Sequence, residues 1–251
     1  MNSIPEYSQH CPGPERIAEL VKQHGICVMH SHCRNVATMH AEARELLDDF
    51  KKSSWLRDYA FGELASVIME DESVREAYHK RYPALWDYFS QPDFRRIFSF
   101  FGLPSERFFK HLYISHDFES QKGMARNGYL HFDRNWTLKF MLYLSDVEEG
   151  AGPFNVVPGS HKLGKKLREQ GWKSFRGYQN IPNRIGTDID MRVDDAVPIL
   201  GKAGTLIVFD TDIFHFGGVV EAGKSRLIAR SHSFIPVADV ERRWEEIHAA
   251  P

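Results

Sequence analysis

In the stretch YLHFDRNW, residues 129–136, His131 and Asp133 stand two apart inside an aromatic run. Alternate residues of a strand share a face, so an imidazole and a carboxylate at this spacing can meet at one point. A point that takes both together is a divalent metal ion. Alone, a His-x-Asp reads first as an ordinary turn hydrogen-bond pair and only second as a metal site. Further along, TDIFHFGGVVEAGKSRLIARS supplies two more groups. His215 follows the apolar run GTLIVFD and precedes a Gly-Gly turn, and Arg226 stands at the head of the next apolar run.

Taken singly, His215 reads as a satisfied core histidine and Arg226 as a surface ion pair. Their order and strand context together point to a shared centre. Two histidines and one carboxylate make the facial triad of non-haem Fe(II) oxygenases, which leaves three positions open on one face of the metal. A dicarboxylic co-substrate can fill two of these and O2 the third. Its far carboxylate then needs a cation on the adjacent strand, and a planar guanidinium suits a carboxylate best.

The elements that must position these groups change character along the chain. The first hundred residues read mostly as helices. Ile17, Leu20 and Val21 share a helical face that Gly25 ends, and ICVM follows as a short buried strand. Asn35 is placed to cap a second helix carrying Val36, Met39, Ala43, Leu46, Leu47 and Phe50. PDFRRIFSFFG repeats the pattern with Phe94, Ile97, Phe98 and Phe101. Such stripes are core faces, which any amphipathic helix needs. From about residue 107 the period shortens: RFFKHLYISH, TLKFMLYLSD, FNVVPG, GTLIVFD and RLIARSHSFIP read as strands with Gly, Pro, Asp and Asn between them. Without helical crossovers an antiparallel sandwich or barrel is expected. Residues 161–203 form a long polar segment between two strands, expected as a lid over the site.

The segments HFDRNWTLKFMLYLSDVEEGAGPFNVVPGSHK and GTLIVFDTDIFHFGG give the sequence a resemblance to the phytanoyl-CoA hydroxylase-like (PhyH) family of Fe(II)/2-oxoglutarate dioxygenases. The resemblance covers roughly residues 107–235, and EEGAGPFNVVPGSHK looks like that family's hairpin; the region around HGICVM is similar less specifically. It implies a mostly β fold with flanking helices, a double-stranded β-helix (jelly roll, cupin-like) with a helical N-terminal region. It implies a single domain over 1–251, with 1–106 as mainly helical support and 107–235 as the β-helix core. His131, Asp133 and His215 would be the catalytic iron ligands, and Arg226 the partner of the 2-oxoglutarate C5 carboxylate. Fe(II), 2-oxoglutarate and O2 would be required, with succinate and CO2 released. Related iron halogenases have Gly or Ala where Asp133 stands, so a hydroxylase-type oxidation is expected.

Parity extends the reading. In TLKFMLYL, Leu138, Phe140, Leu142 and Leu144 form an outward apolar face, leaving Thr137, Lys139, Met141 and Tyr143 toward the lumen. A buried lysine beside a metal is expensive unless it meets an anion. Lys139 is therefore a candidate second contact to 2-oxoglutarate, against the alternative that it snorkels out at a strand end. Arg134 and Trp136, directly after the His-x-Asp pair, and His111 and Tyr113 on one face of the preceding strand, are candidate substrate residues. Ser160 and His161 read as a structural turn. CVMHSHC crowds Cys27, His30, His32 and Cys33 into seven residues, too close for the two separated ligand pairs of a structural zinc site, and reads as a strand-to-turn edge. Six basic residues between Lys162 and Arg176 (with Lys165, Lys166, Arg168 and Lys173) read as a solvated face that an anionic substrate could also meet.

Composition bounds the partners. A net charge of −2 gives no global field toward nucleic acid or membrane. The start, MNSIPEYSQHCPGPE, lacks the marks of a secretory signal, and three cysteines suit a reducing cytoplasm. A small organic metabolite is the expected substrate, with an acyl or carrier-linked conjugate among the candidates. Two other readings stay open: a β-helix ligand sensor without turnover, and an iron dioxygenase that uses no 2-oxoglutarate.

Overall fold

The computed structural model describes residues 3–8, 11–52, 57–59, 62–68, 72–103, 108–109, 111–119, 130–133, 136–170 and 193–232. In chain order the elements are β1 (Glu6–Tyr7), α1 (Pro14–His24), β2 (Ile26–Met29), α2 (Val36–Lys52), β3 (Arg57–Tyr59), β4 (Gly62–Ile68), α3 (Glu72–Arg81), α4 (Pro83–Ser90), α5 (Pro92–Ser99), β5 (His111–Phe118), β6 (Leu138–Tyr143), β7 (Phe154–Val156), α6 (His161–Glu169), β8 (Val197–Ile199), β9 (Leu206–Asp210), β10 (His215–Gly217) and β11 (Ser225–His232). Two sheets result, an eight-stranded one ordered β1-β2-β9-β6-β11-β5-β4-β3 and a three-stranded one ordered β10-β7-β8. All pairings are antiparallel except β1 with β2. This is the two-sheet body of a double-stranded β-helix with helices flanking one sheet.

Strand parity divides the core in two. Leu138, Phe140, Leu142, Leu206, Val208, Leu227 and Ala229 leave the large sheet on one face and pack against the helices. Met141, Tyr143, Ile207, Phe209 and Ile228 leave it on the other, where they meet Phe154, Val156 and Ile199 of the small sheet. The outward and inward faces expected for TLKFMLYL are those observed. On the helical side α1 buries Ile17, Ala18, Leu20 and Val21, α2 buries Met39, Ala43, Leu46, Leu47 and Phe50, and α5 buries Phe94, Ile97 and Phe98. Phe94 stacks on Phe140 with ring centroids 4.7 Å apart, so helix and sheet interlock through aromatic faces. α4 opens with Pro83 and has no cap of its own. Glu42 of α2 supplies one, accepting the Ala84 and Leu85 N–H groups at 3.0 and 2.9 Å.

The first hundred residues contribute more than helices. β2 pairs with β9 and β4 with β5, so N-terminal strands widen the large sheet on both sides. The stretch 161–203, expected as a polar lid, is built into the fold at both ends. Its start is α6, which buries His161, Gly164 and Leu167. A Cβ on Gly164 would overlap the Asp212 carbonyl oxygen, so glycine is what lets this helix lie directly on the 210–214 backbone. Its end includes β8, paired with β7. The central residues of the expected lid, 171–192, lie outside the described residues. Among the described residues, no helix is long and apolar enough to cross a membrane.

Candidate active site

The His-x-Asp segment runs beside β10 as an added edge of the small sheet. His131 N–H donates to the His215 carbonyl at 3.0 Å, and His215 N–H returns a bond to the His131 carbonyl at 2.7 Å. Asp133 N–H bonds the Thr211 carbonyl at 2.9 Å. Thr211 Oγ donates to the Thr137 carbonyl at 2.9 Å and accepts the Thr137 N–H at 2.8 Å, so both ends of the segment are clamped to the same loop. Alternation does the rest. Leu130, Phe132 and Phe214 point away into a small cluster with Leu167 of α6, which leaves His131, Asp133 and His215 on the inner face.

There the three ligand-type atoms all lie within 4.8 Å of one another. Asp133 Oδ1 is 3.8 Å from His131 Nε2 and 3.7 Å from His215 Nε2. An ion about 2.0–2.2 Å from each donor fits between them with slight closure. Donor chemistry agrees with the geometry. His215 Nδ1 lies 2.8 Å from the Ile213 carbonyl. A carbonyl only accepts, so Nδ1 carries the proton and Nε2 presents its lone pair inward. Burial, with His131 nearby, pushes His215 down to about 3 against the attraction of Asp133, so the ring is neutral at pH 7. Burial alone would raise the Asp133 carboxyl. Lys139 and the two imidazoles overcome it and hold Asp133 well below the usual carboxylate range, ionised and ready to ligate.

Beneath these three side chains lies a cavity of about 90 Å³ whose lining also includes Lys139, Phe154, Phe209, Arg226 and Arg230. Lys139 does not snorkel outward; its ammonium lies on Asp133 Oδ2. Arg226 is 8% exposed, with Nε and Nη2 on Asp117 Oδ2 at 2.9 and 2.5 Å and Nη1 on the Gly152 carbonyl. Gly152 has φ +73, and a Cβ there would strike Val220, so glycine lets this hairpin bring its carbonyl to the guanidinium.

The remaining candidates scatter. Tyr113 lies under the Arg230 guanidinium, 5.7 Å from ring centroid to Cζ. His111 Nε2 pairs with Ser66 Oγ at 2.7 Å. Trp136 donates its indole N–H to Asp210 at 2.9 Å and lines a neighbouring cavity of about 750 Å³ with Phe100, Phe101, Lys162, Lys165 and Arg168. Arg134 lies outside the described residues. Ser160 is structural, its hydroxyl bridging the Val157 carbonyl and the Phe214 N–H. His161 meets the Lys22 carbonyl. The crowded Cys/His stretch disperses: His30 meets Glu6, His32 meets Tyr88, and Cys33 meets Met39. Within the basic run Arg168 is no solvated charge. It donates to Asp212 and, at 2.6 Å, to the carbonyl of Asp133 itself. Lys173 and Arg176 lie outside the described residues.

Sequence reasoning does not single out Asp117 or Arg230, and takes Arg168 only as one member of the basic run. Strand alternation carries a signal for Arg230, since Arg226, Ile228 and Arg230 share a face. Nothing local announces Arg168, which acts across the fold.

Comparison with known proteins gives a consistent picture. A family model described as phytanoyl-CoA dioxygenase (PhyH) matches residues 21–228. Comparison with curated protein sequences finds no match. Among solved structures, the epimerase SnoN in complex with Fe3+, alpha ketoglutarate and nogalamycin RO is similar at a TM-score of 0.55 and 15% identity, over 87% of this chain and 82% of that one. The non-heme alpha ketoglutarate dependent carbocyclase SnoK from nogalamycin biosynthesis gives 0.53 and 12%, over 89% and 86%. AviO1 from Streptomyces viridochromogenes Tue57 gives 0.52 and 14%, over 91% and 97%. At these identities the likeness is one of fold. The family match is of another kind, running from the first helix to the last strand, and on it the chain belongs to the phytanoyl-CoA dioxygenase (PhyH) family.

Proposed function

We propose that this chain is a non-haem Fe(II)- and 2-oxoglutarate-dependent oxygenase that hydroxylates a C–H bond of a small organic metabolite. The observation that carries the reading is the convergence of His131, Asp133 and His215 over a cavity that Arg226 and Lys139 also line. Bound iron, with 2-oxoglutarate and O2, supplies the oxidising power for C–H cleavage at the expense of a decarboxylation to succinate and CO2. The protein's part is placement. His131, Asp133 and His215 would hold the ion. The Ile213 carbonyl fixes the His215 tautomer, and Arg168 steadies the Asp133 backbone. Arg226, braced by Asp117, receives the C5 carboxylate of the co-substrate. Lys139, on Asp133 Oδ2 while Oδ1 faces the two imidazoles, would offer the co-substrate a second cationic contact. Phe154 and Phe209 pack on His215 at 5.3 and 5.4 Å between centroids and exclude water from its side of the site.

The test is anaerobic addition of 2-oxoglutarate to the Fe(II)-loaded protein, followed by air. A visible metal-to-ligand charge-transfer band, and succinate formed in proportion to Fe(II), are expected. A protein that binds Fe(II) but neither binds nor consumes 2-oxoglutarate overturns the reading in favour of a co-substrate-independent dioxygenase. Epimerase and carbocyclase names among the structural neighbours make product analysis the second arm. A product heavier by one oxygen supports hydroxylation, and a product heavier by none replaces it with another oxidative outcome.

A further inference from the structure

We infer that Arg230 is a receptor for a carboxylate on the primary substrate, held beside the metal centre and separate from the co-substrate's anchor. The inference rests on the iron and 2-oxoglutarate reading above and gives it a substrate class, small organic monocarboxylates.

Among the described residues three cations line the metal cavity, and two of them are already answered. Lys139 lies on Asp133, while Arg226 has every nitrogen engaged, by Asp117 and the Gly152 carbonyl. Arg230 is different. Its Nε is buried with no hydrogen-bond partner, and its guanidinium rests only on the π face of Tyr113 among the described residues. A buried guanidinium N–H without an acceptor is costly, and such a group persists where a ligand supplies the acceptor.

Register places it well. On β11, Arg230 stands opposite Met141, the next inward residue of β6 after Lys139, whereas Arg226 stands two inward positions further on, opposite Asp117. Arg230 is therefore nearer the Lys139 end of the cavity, where Asp133 is, and Arg226 is at the far end. A co-substrate stretched from the ion to Arg226 passes Arg230 without spending its second carboxylate there.

Charge selects the ligand. Among the described residues, Lys139, Arg226 and Arg230 face two carboxylates, Asp133 and Asp117. A divalent ion and a dianionic co-substrate cancel one another, so a single positive charge is left over, at Arg230. A monoanion balances it, and the planar fork of an arginine matches a carboxylate.

The test uses Co(II) in place of iron and N-oxalylglycine in place of 2-oxoglutarate, so that no turnover intervenes. Formate, acetate, hexanoate and phenylacetate are titrated into the loaded protein, the last three beside their methyl esters, and followed by calorimetry and the cobalt spectrum. Saturable binding of at least one acid and none of the esters is expected. In Arg230→Gln that binding should weaken at least tenfold while N-oxalylglycine affinity stays within about twofold, a retention that also shows the variant is folded. Arg230→Lys, which keeps the charge and loses the fork, should fall between. No saturable acid, equal binding of esters, or undiminished binding in Arg230→Gln (direct ligation of cobalt) overturns the inference. So does a matching loss of N-oxalylglycine, which makes Arg230 a co-substrate contact. Failure of the wild-type protein to take up Co(II) or N-oxalylglycine overturns the underlying reading as well, before any acid is added.

Discussion

His131 and His215, distant in the chain, are each other's backbone partners, exchanging both N–H···O=C bonds of an isolated antiparallel bridge. Two of the three candidate ligands thus owe their proximity to main-chain geometry. Their rings sit 4.5 Å apart.

Replacement of His131 by Ala should therefore spare the fold and remove the metal. The bridge uses only backbone atoms, so metal-free stability should change by no more than about 1 kcal/mol. Wild-type protein at about a hundred times the metal dissociation constant should gain about 2.7 kcal/mol from Co(II) or Mn(II), and the variant none. Denaturant melts with and without metal measure both. A variant that unfolds without metal would show that the imidazole itself organises the bridge.

Arg226 and Asp117 form a buried pair whose members sit on paired strands, directly opposite in register. Arg226→Ala leaves the Asp117 charge buried and should cost about 3–5 kcal/mol of stability without any ligand present. Adding Asp117→Ala should return a large part of that loss, by at least about 1 kcal/mol, because contacting residues couple. Urea titration of the two single variants and the double variant closes the cycle. Additive losses would show that the pair is not a unit, and that Arg226 answers mainly to Gly152.

Much of this arrangement is legible in the chain. The His-x-Asp alternation, the distal His before a Gly-Gly turn and the strand-head Arg are local patterns, and local patterns survive in sequence. So does the inward parity of Lys139, which follows from the apolar face of its neighbours. What was missed is non-local. α6 was hidden because only Leu163 and Leu167 break its polar run, and its buried face is completed by a glycine and a histidine. β8 is three residues with two exposed, and only its pairing with β7 makes it a strand. Asp117 and Arg168 owe their roles to partners more than forty residues away or on other elements, which no window along the chain contains.

Asp210 sets a pH dependence that can be read in the metal-free protein. Burial raises its carboxyl to about 6, even though it accepts the Asp212 N–H and the Trp136 indole N–H. A folded-state value above the unfolded one of 3.8 means that the unfolded chain gives up this proton first. The contribution to stability is whole below about pH 4 and is lost as pH rises through about 6. Asp210→Asn keeps an oxygen for both donors and never ionises. It should exceed wild type by about 1–3 kcal/mol at pH 7.5 and match it near pH 4. Parallel stability–pH curves for the two proteins would contradict the assignment.

Lys139 and a bound ion make opposite demands on the Asp133 carboxylate. The ammonium lies on Asp133 Oδ2 and helps hold that carboxylate ionised. Once an ion arrives, the same ammonium is a positive charge a few ångströms from a divalent cation. Two unit charges about 4 Å apart interact by about 4 kcal/mol at the effective permittivity of a protein site. Rotation of the lysine and local water relieve most of that. Lys139→Met, which keeps an unbranched apolar stem and removes the ammonium 5.9 Å from the Phe209 ring centroid, should bind Mn(II) or Co(II) roughly tenfold more tightly in the absence of co-substrate, about 1.4 kcal/mol. It should bind 2-oxoglutarate roughly tenfold more weakly once metal is present, because the co-substrate loses a cationic contact. Calorimetric titration of metal first and co-substrate second separates the two effects. Looser metal binding would mean that the ammonium supports the ionised ligand more than it opposes the ion. Unchanged 2-oxoglutarate affinity would confine Lys139 to the metal-free state and leave Arg226 as the only cation proposed here for the co-substrate.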